Sequence, residues 1–273
     1  MIQGVMLLWF ILTALSFIFV VIDIPKTPED KVIKWAFVIL VIFTGPLGAF
    51  FYVLGCREPI KGTHEQFVAA KWKQVLGSTM HCAAGDGIGI IAGAVIASFL
   101  TLSGLWDFGL EYILGFSFGW AFFQAYAMKE MAGGSYLKSL KISFLPEFLS
   151  MNLLMTGMVL TMSILKPIVT GSDDPLKPEF WFVISMALIV GFIFAYPMNW
   201  WLVSNGMKHG MITVKNTKET EMNGHGGMNM EQQEQEHDHH QMIEKPSISR
   251  IFKMTIFSVL CLVLGLFVSI KIF

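Results

Sequence analysis

The sequence predicts an all-α protein, a polytopic membrane helix bundle of about seven transmembrane helices. Two compositional facts point there: 54% of the 273 residues are hydrophobic and only 14% are charged, where a soluble domain carries about 25% charged residues. The third observation is spacing. Apolar segments long enough to cross a hydrocarbon core of ~30 Å recur along the chain, and mean hydropathy is +0.61.

Taken in order, the first span covers about 4–24 and ends at "DIPKTP", where Pro25 and Pro28 stop a helix. It lacks a basic leader and a small-residue cleavage site, so it reads as a retained helix. The second, about 32–55, contains "FTGPLGAFFYVLG", and Pro46 between Gly45 and Gly48 predicts a kink. The third covers about 78–102, the fourth about 107–131 and the fifth about 142–168. The sixth covers about 179–206 and the last about 251–272. In domain terms, residues 1–74 hold two N-terminal transmembrane helices and 75–211 a four-helix membrane core. Residues 212–249 form a His/Met-rich loop and 250–273 the C-terminal transmembrane helix. That loop is Gln/Glu-rich and nearly free of aliphatics, which predicts disorder.

Lysine and arginine counts orient the bundle. Thirteen fall in the loops after spans two, four and six, and six on the other side. The excess places those loops, the His/Met-rich loop and the N-terminus in the cytoplasm of an inner (plasma) membrane.

Composition also excludes function classes. A net charge of −1 gives no sign of a nucleic-acid partner. Cys56, Cys82 and Cys261 form no Cys-x-x-Cys pair, so a thioredoxin-like centre is unsupported. No phosphate-binding loop is present, which argues against a nucleotide cofactor. Span seven has no mid-membrane lysine for a retinal Schiff base, and one histidine in span three cannot supply bis-histidine haem ligation. An enzyme is therefore not expected.

The chemistry concentrates on three helix faces. In span three His81, Gly85, Gly89 and Gly93 step by four, and Glu111, Gly115 and Gly119 answer in span four. Such small-residue stripes predict close packing of the two helices. Cys82 and Asp86 lie four apart on the adjoining face. Ionisable groups at membrane depth cost about 2.5–3.5 kcal/mol on insertion scales, so they are normally paired, protonated or next to a wet cavity. Asp86 could alternatively cap a helix that begins at "GDG". In span five Glu147, Met151, Met155, Met158 and Met162 form one stripe with Asn152 beside it. Methionines are ordinarily packing residues, but a thioether is also a soft ligand that selects Cu(I). The loop adds His225, Met228, Met230, His237, His239 and His240, a mixed imidazole and thioether set suited to copper or silver.

The segments "HCAAGDGIG", "EYILGFSFGWAFF", "FLPEFLSMN" and "AYPMNWWLVSNGMKHGM" resemble an uncharacterised bacterial multipass family, a domain of unknown function, over roughly residues 75–211. The shared features are the His-Cys-x-x-Gly opening and the Tyr-Pro-x-Asn-Trp-Trp ending. The resemblance implies a copper-associated context and no established reaction or ligand set.

The resulting expectation is an inner-membrane transporter or carrier of a soft metal ion, most of all Cu(I). His81, Cys82, Asp86, Glu147, Met151, Met155 and Met158 would form its path, and the His/Met loop would collect or deliver the ion. The expected partners are the bilayer and a copper-handling protein. The alternative is a membrane metallochaperone or oxidase-assembly protein that binds copper without moving it. Geometry offers a test: His81 and Cys82 should lie within a side chain's reach of Met151 or Glu147.

Overall fold

Hydropathy selects the long elements, and the computed structural model of the chain arranges them. Residues 2–28, 31–60, 62–129, 132–210 and 246–272 are described. The long helices are α1 (Ile2–Asp23), α5 (Lys71–Phe99), α8 (Tyr136–Leu165), α9 (Pro178–Ser204) and α10 (Ile248–Ile272). Each is long and apolar enough to cross a membrane. Among the described residues there is no strand.

The other two expected spans are interrupted. Span two consists of α2 (Lys31–Thr44) and α3 (Pro46–Gly55). Gly45 breaks them with φ +56°, where a Cβ would strike Trp9 and Thr13 of α1. The predicted proline kink is thus a full break, made by the glycine ahead of the proline. Span four is α6 (Leu105–Phe118), a π-helical turn over Gly119–Gln124, and α7 (Ala125–Ala127). A short helix α4 (His64–Val68) precedes α5.

The core lies among α5, α8 and α9. In their most apolar stretches 67%, 61% and 56% of residues are buried, against 11% in α1 and α10. The latter two turn Leu7, Leu15, Leu264 and Phe267 outward, as lipid-facing helices do. α5 packs on α6, α8 on α9, and α10 on α8. Lipid tails are as apolar as leucine, so close backbone contact and polar bonds hold such helices together. A Cβ on Gly157 of α8 would come within 2.8 Å of Gly191 Cα in α9. Asn152 Nδ2 donates to Ser258 Oγ at 3.2 Å, tying α10 to α8.

Helix ends extend beyond the predicted spans. α5 begins at Lys71 rather than 78, and α8 at Tyr136 rather than 142. Hydropathy marks the apolar part of a helix, whereas the hydrogen-bonded part continues through Lys71–Gln74 and, behind the Ser135 cap, through Tyr136–Lys141. Asp86 therefore sits in mid-helix, and the capping alternative is removed.

Candidate functional site

The glycine stripes of α5 and α6 do what their spacing predicts. A Cβ on Gly89 would run into Leu114 O and lie 2.7 Å from Gly115 Cα, and one on Gly93 would lie 2.7 Å from Glu111 Cα. The two helices are therefore in backbone contact along their length. One turn further, the π-helical turn places Gly119 against Asp86 Oδ1 and also beside Glu147 Oε1. A π turn inserts an extra residue and shifts the following side chains around the axis, a device common at functional sites. Here it carries Gln124 to Cys82, with Cys82 Sγ 3.7 Å from Gln124 Oε1.

At this point the bundle holds a buried polar cluster. Cys82 Sγ donates to Glu147 Oε2 at 3.2 Å. Lys208, just past the end of α9, points its ammonium back into the cluster. Its Nζ donates to Cys82 Sγ, to Glu147 Oε2 at 3.2 Å and to Asn199 Oδ1 at 3.0 Å. Asn199 Nδ2 in turn donates to Ser150 Oγ at 2.8 Å. The Lys208 and Glu147 side chains are both 0% exposed. Burial alone would pull the Lys208 ammonium down; the Cys82 thiol and Glu147 carboxylate outweigh this and hold it above the ordinary lysine range.

Several atoms stay unsatisfied. No hydrogen-bond partner meets Glu147 Oε1, either Asp86 carboxyl oxygen or either His81 ring nitrogen. Asp86 and Glu147 interact across Gly119, so a proton shared between the two carboxyls would partner them. Counting charge, one ammonium faces two carboxyls and a thiol.

The predicted site residues separate clearly. Cys82, Asp86 and Glu147 are brought together, and the expected reach of Cys82 to Glu147 is met. Met151 is adjacent, because its Cε and the Asp86 carbonyl both approach Gly115. His81 lies on the next face, with its ring edge-on to Phe123 at 5.2 Å. Met155 and Met158 belong to the apolar core, and Met158 Cγ fills the space over Gly191. The stripe keeps to one face of α8, within a quarter turn, but what packs on that face changes along it, from Gly115 of α6 at Met151 to Gly191 of α9 at Met158. His225, Met228, Met230, His237, His239 and His240 lie outside the described residues. Among the described residues, no three of His, Cys, Asp and Glu form a group that could hold a metal ion.

Lys208, Asn199 and Gln124 complete the cluster. Asn199 is the asparagine of the Tyr-Pro-x-Asn-Trp-Trp ending, whereas Lys208 and Gln124 are not among the residues the sequence points to. Charge balance could have found Lys208: two carboxyls at depth need a cation, and "GMKHG" follows directly on the sixth span.

Comparisons with curated proteins and with solved structures give no significant match. A family model does match, and it covers residues 71–208, which begin with α5 and end at the buried lysine. Since that is just over half of the chain, the protein belongs to the family described as Domain of unknown function (DUF4396).

Proposed function

We propose that this protein is a membrane carrier for a soft monovalent cation, Cu(I) foremost, with Lys208 as a tethered stand-in for the ion. What supports the reading is the environment of Lys208 Nζ: a thiol, a carboxylate and an amide oxygen wrap an ammonium inside the bundle. Donors arranged around a buried cation make a cation site, whichever cation fills it. Exchanging the ammonium for a monovalent ion leaves the buried charge unchanged. A divalent ion would add a charge where water cannot screen it. Cys82 as thiolate and Met151 as thioether then favour a soft ion over sodium or potassium.

In the carrier cycle Lys208 leaves the cluster, the ion takes its place between Cys82 and Glu147, and the proton that Cys82 gives up on becoming a thiolate ligand passes to Asp86, so the buried charge stays the same. Gly206, with φ +63°, provides a pivot in the turn that carries Lys208. All seven spans cross the membrane, α2–α3 and α6–α7 as interrupted helices. The lysine excess faces the cytoplasm, so Lys208 enters the cluster from that side. The His/Met-rich loop follows directly and would hand the ion to or from a copper-handling protein.

Copper content measured under reducing conditions tests the reading, using full-length protein, a form lacking residues 219–242, and Lys208→Met. The expected result is stoichiometric copper in the first two and tighter binding in Lys208→Met, which has lost the competing ammonium. No retained copper or silver in any form removes the metal reading. Bound copper without uptake into proteoliposomes identifies a metallochaperone instead.

A further inference from the structure

The bundle holds a second polar feature, at the end opposite Lys208. A cavity of about 930 Å³ opens between the end of α5, the start of α6, the end of α8 and the start of α9. Asp107 and Glu111 line it, one helical turn apart on α6. Lys166 also lines it but is paired with Asp173 at 3.0 Å. The wall thus carries three carboxyls and one ammonium, and that ammonium is already paired. Ser172, 3% exposed, lines the same cavity, and its Oγ has no hydrogen-bond partner.

This cavity connects by geometry to the buried cluster. Glu111 lies on the α5–α6 seam against Gly93, and Asp86 lies on the same seam against Gly119. Eight residues of helix separate Glu111 from Gly119, about 12 Å. Between them, Ile90 Cγ1 and Met151 Cε close over Gly115. Met151 is fully buried, but methionine is unbranched with three rotatable bonds, so it changes rotamer more readily than the β-branched Ile90 beside it, and its sulfur suits a soft ion in passing.

We propose that the cavity is the access vestibule for the cation, with Asp107 and Glu111 as its first binding site and Met151 as the gate toward Asp86. This rests on the carrier reading for the identity of the ion. The volume far exceeds one ion, so the cation arrives hydrated and exchanges water for carboxyl oxygen.

Two experiments test it separately from the carrier reading. Ser103→Cys puts a thiol at the exposed rim of the cavity. In vesicles, a cationic membrane-impermeant methanethiosulfonate should modify it about threefold to tenfold faster than an anionic one, after subtraction of the wild-type rate. The preference should vanish when Asp107→Asn and Glu111→Gln are added. Equal rates, or a preference that survives those changes, overturn the vestibule whether or not the protein transports anything. Then, in Cu(I) uptake, Glu111→Gln should raise the half-saturating concentration about tenfold, as losing a partly desolvated charge does. Equilibrium copper affinity should stay unchanged and Glu111→Asp should recover most of the effect. Unchanged uptake in Glu111→Gln overturns the binding role. Absence of uptake in the wild type sinks the carrier instead, and the labelling result then decides the vestibule alone.

Discussion

Replacing Lys208 by Met keeps a long unbranched side chain and removes the cation that, among the described residues, pairs with Glu147. Lys208 Nζ makes three contacts, to Cys82, to Glu147 at 3.2 Å and to Asn199 at 3.0 Å. With it gone, Glu147 Oε2 keeps only the Cys82 thiol, while Oε1 had no partner to begin with. Breaking a fully buried ion pair by deleting one member costs about 3–5 kcal/mol, since the other charge is stranded. At roughly 2–4 °C per kcal/mol for a chain of this size, the melting temperature in detergent should fall by roughly 6–20 °C. Lys208→Met combined with Glu147→Gln should recover most of that, because it strands no charge; the double-mutant cycle isolates the pair. The deficit of Lys208→Met alone should also narrow at low pH, where Glu147 is protonated. A shift under about 2 °C for Lys208→Met, the size of an ordinary surface substitution, would show that the ammonium does not sit in the cluster.

The seam between α5 and α6 makes its own predictions. Gly89→Ala should destabilise by about 1–3 kcal/mol, because a Cβ there meets Leu114 and Gly115 backbone that cannot yield. Gly109→Ala, with nothing within 4 Å of the added methyl, should be neutral or stabilise α6 by about 0.5–1 kcal/mol. Thermal unfolding of the pair distinguishes a packing seam from a general intolerance of α6 and α5 to substitution. Gly119→Ala drives a methyl onto Asp86 Oδ1 and should lower copper binding more than it lowers the melting temperature. The Lys208 ammonium is held above the ordinary lysine value of 10.5. Its contribution to stability is therefore complete below pH 10.5 and lost as pH rises through the higher folded value. Melting curves should show that alkaline decline in the wild type and not in Lys208→Met/Glu147→Gln.

Much of this was legible in the chain, for reasons that differ by residue. The α5–α6 contact follows from glycines at steps of four, because a missing Cβ has one consequence on a helix face. Cys82, Asp86 and Glu147 stand out because acids are costly at depth. The methionine stripe keeps one face of α8, but spacing alone does not say what packs on that face: Met151 lies beside Gly115 of α6, whereas Met158 fills the α8–α9 seam over Gly191. The breaks in spans two and four were less visible. Gly45 acts through a clash with α1, a tertiary cause, and the π turn is a single-residue insertion that leaves hydropathy unchanged.

Lys208 escaped for a deeper reason. A lysine just past a membrane helix ordinarily reaches outward to phosphate and water, and by position alone Lys208 should do so. It turns inward because Glu147 and Asp86 are already there, and their desolvation would otherwise go unbalanced. In the proposed carrier cycle the counter-ion must also leave, which requires both a position near the end of a span and burial of the charge. A lysine at mid-helix would be locked in place, and one on an exposed loop would not reach. On that reading the same residue neutralises the cluster in one state and releases it in another, whereas His81 and the methionines would only add affinity. That makes Lys208, rather than any predicted ligand, the residue on which the carrier reading stands.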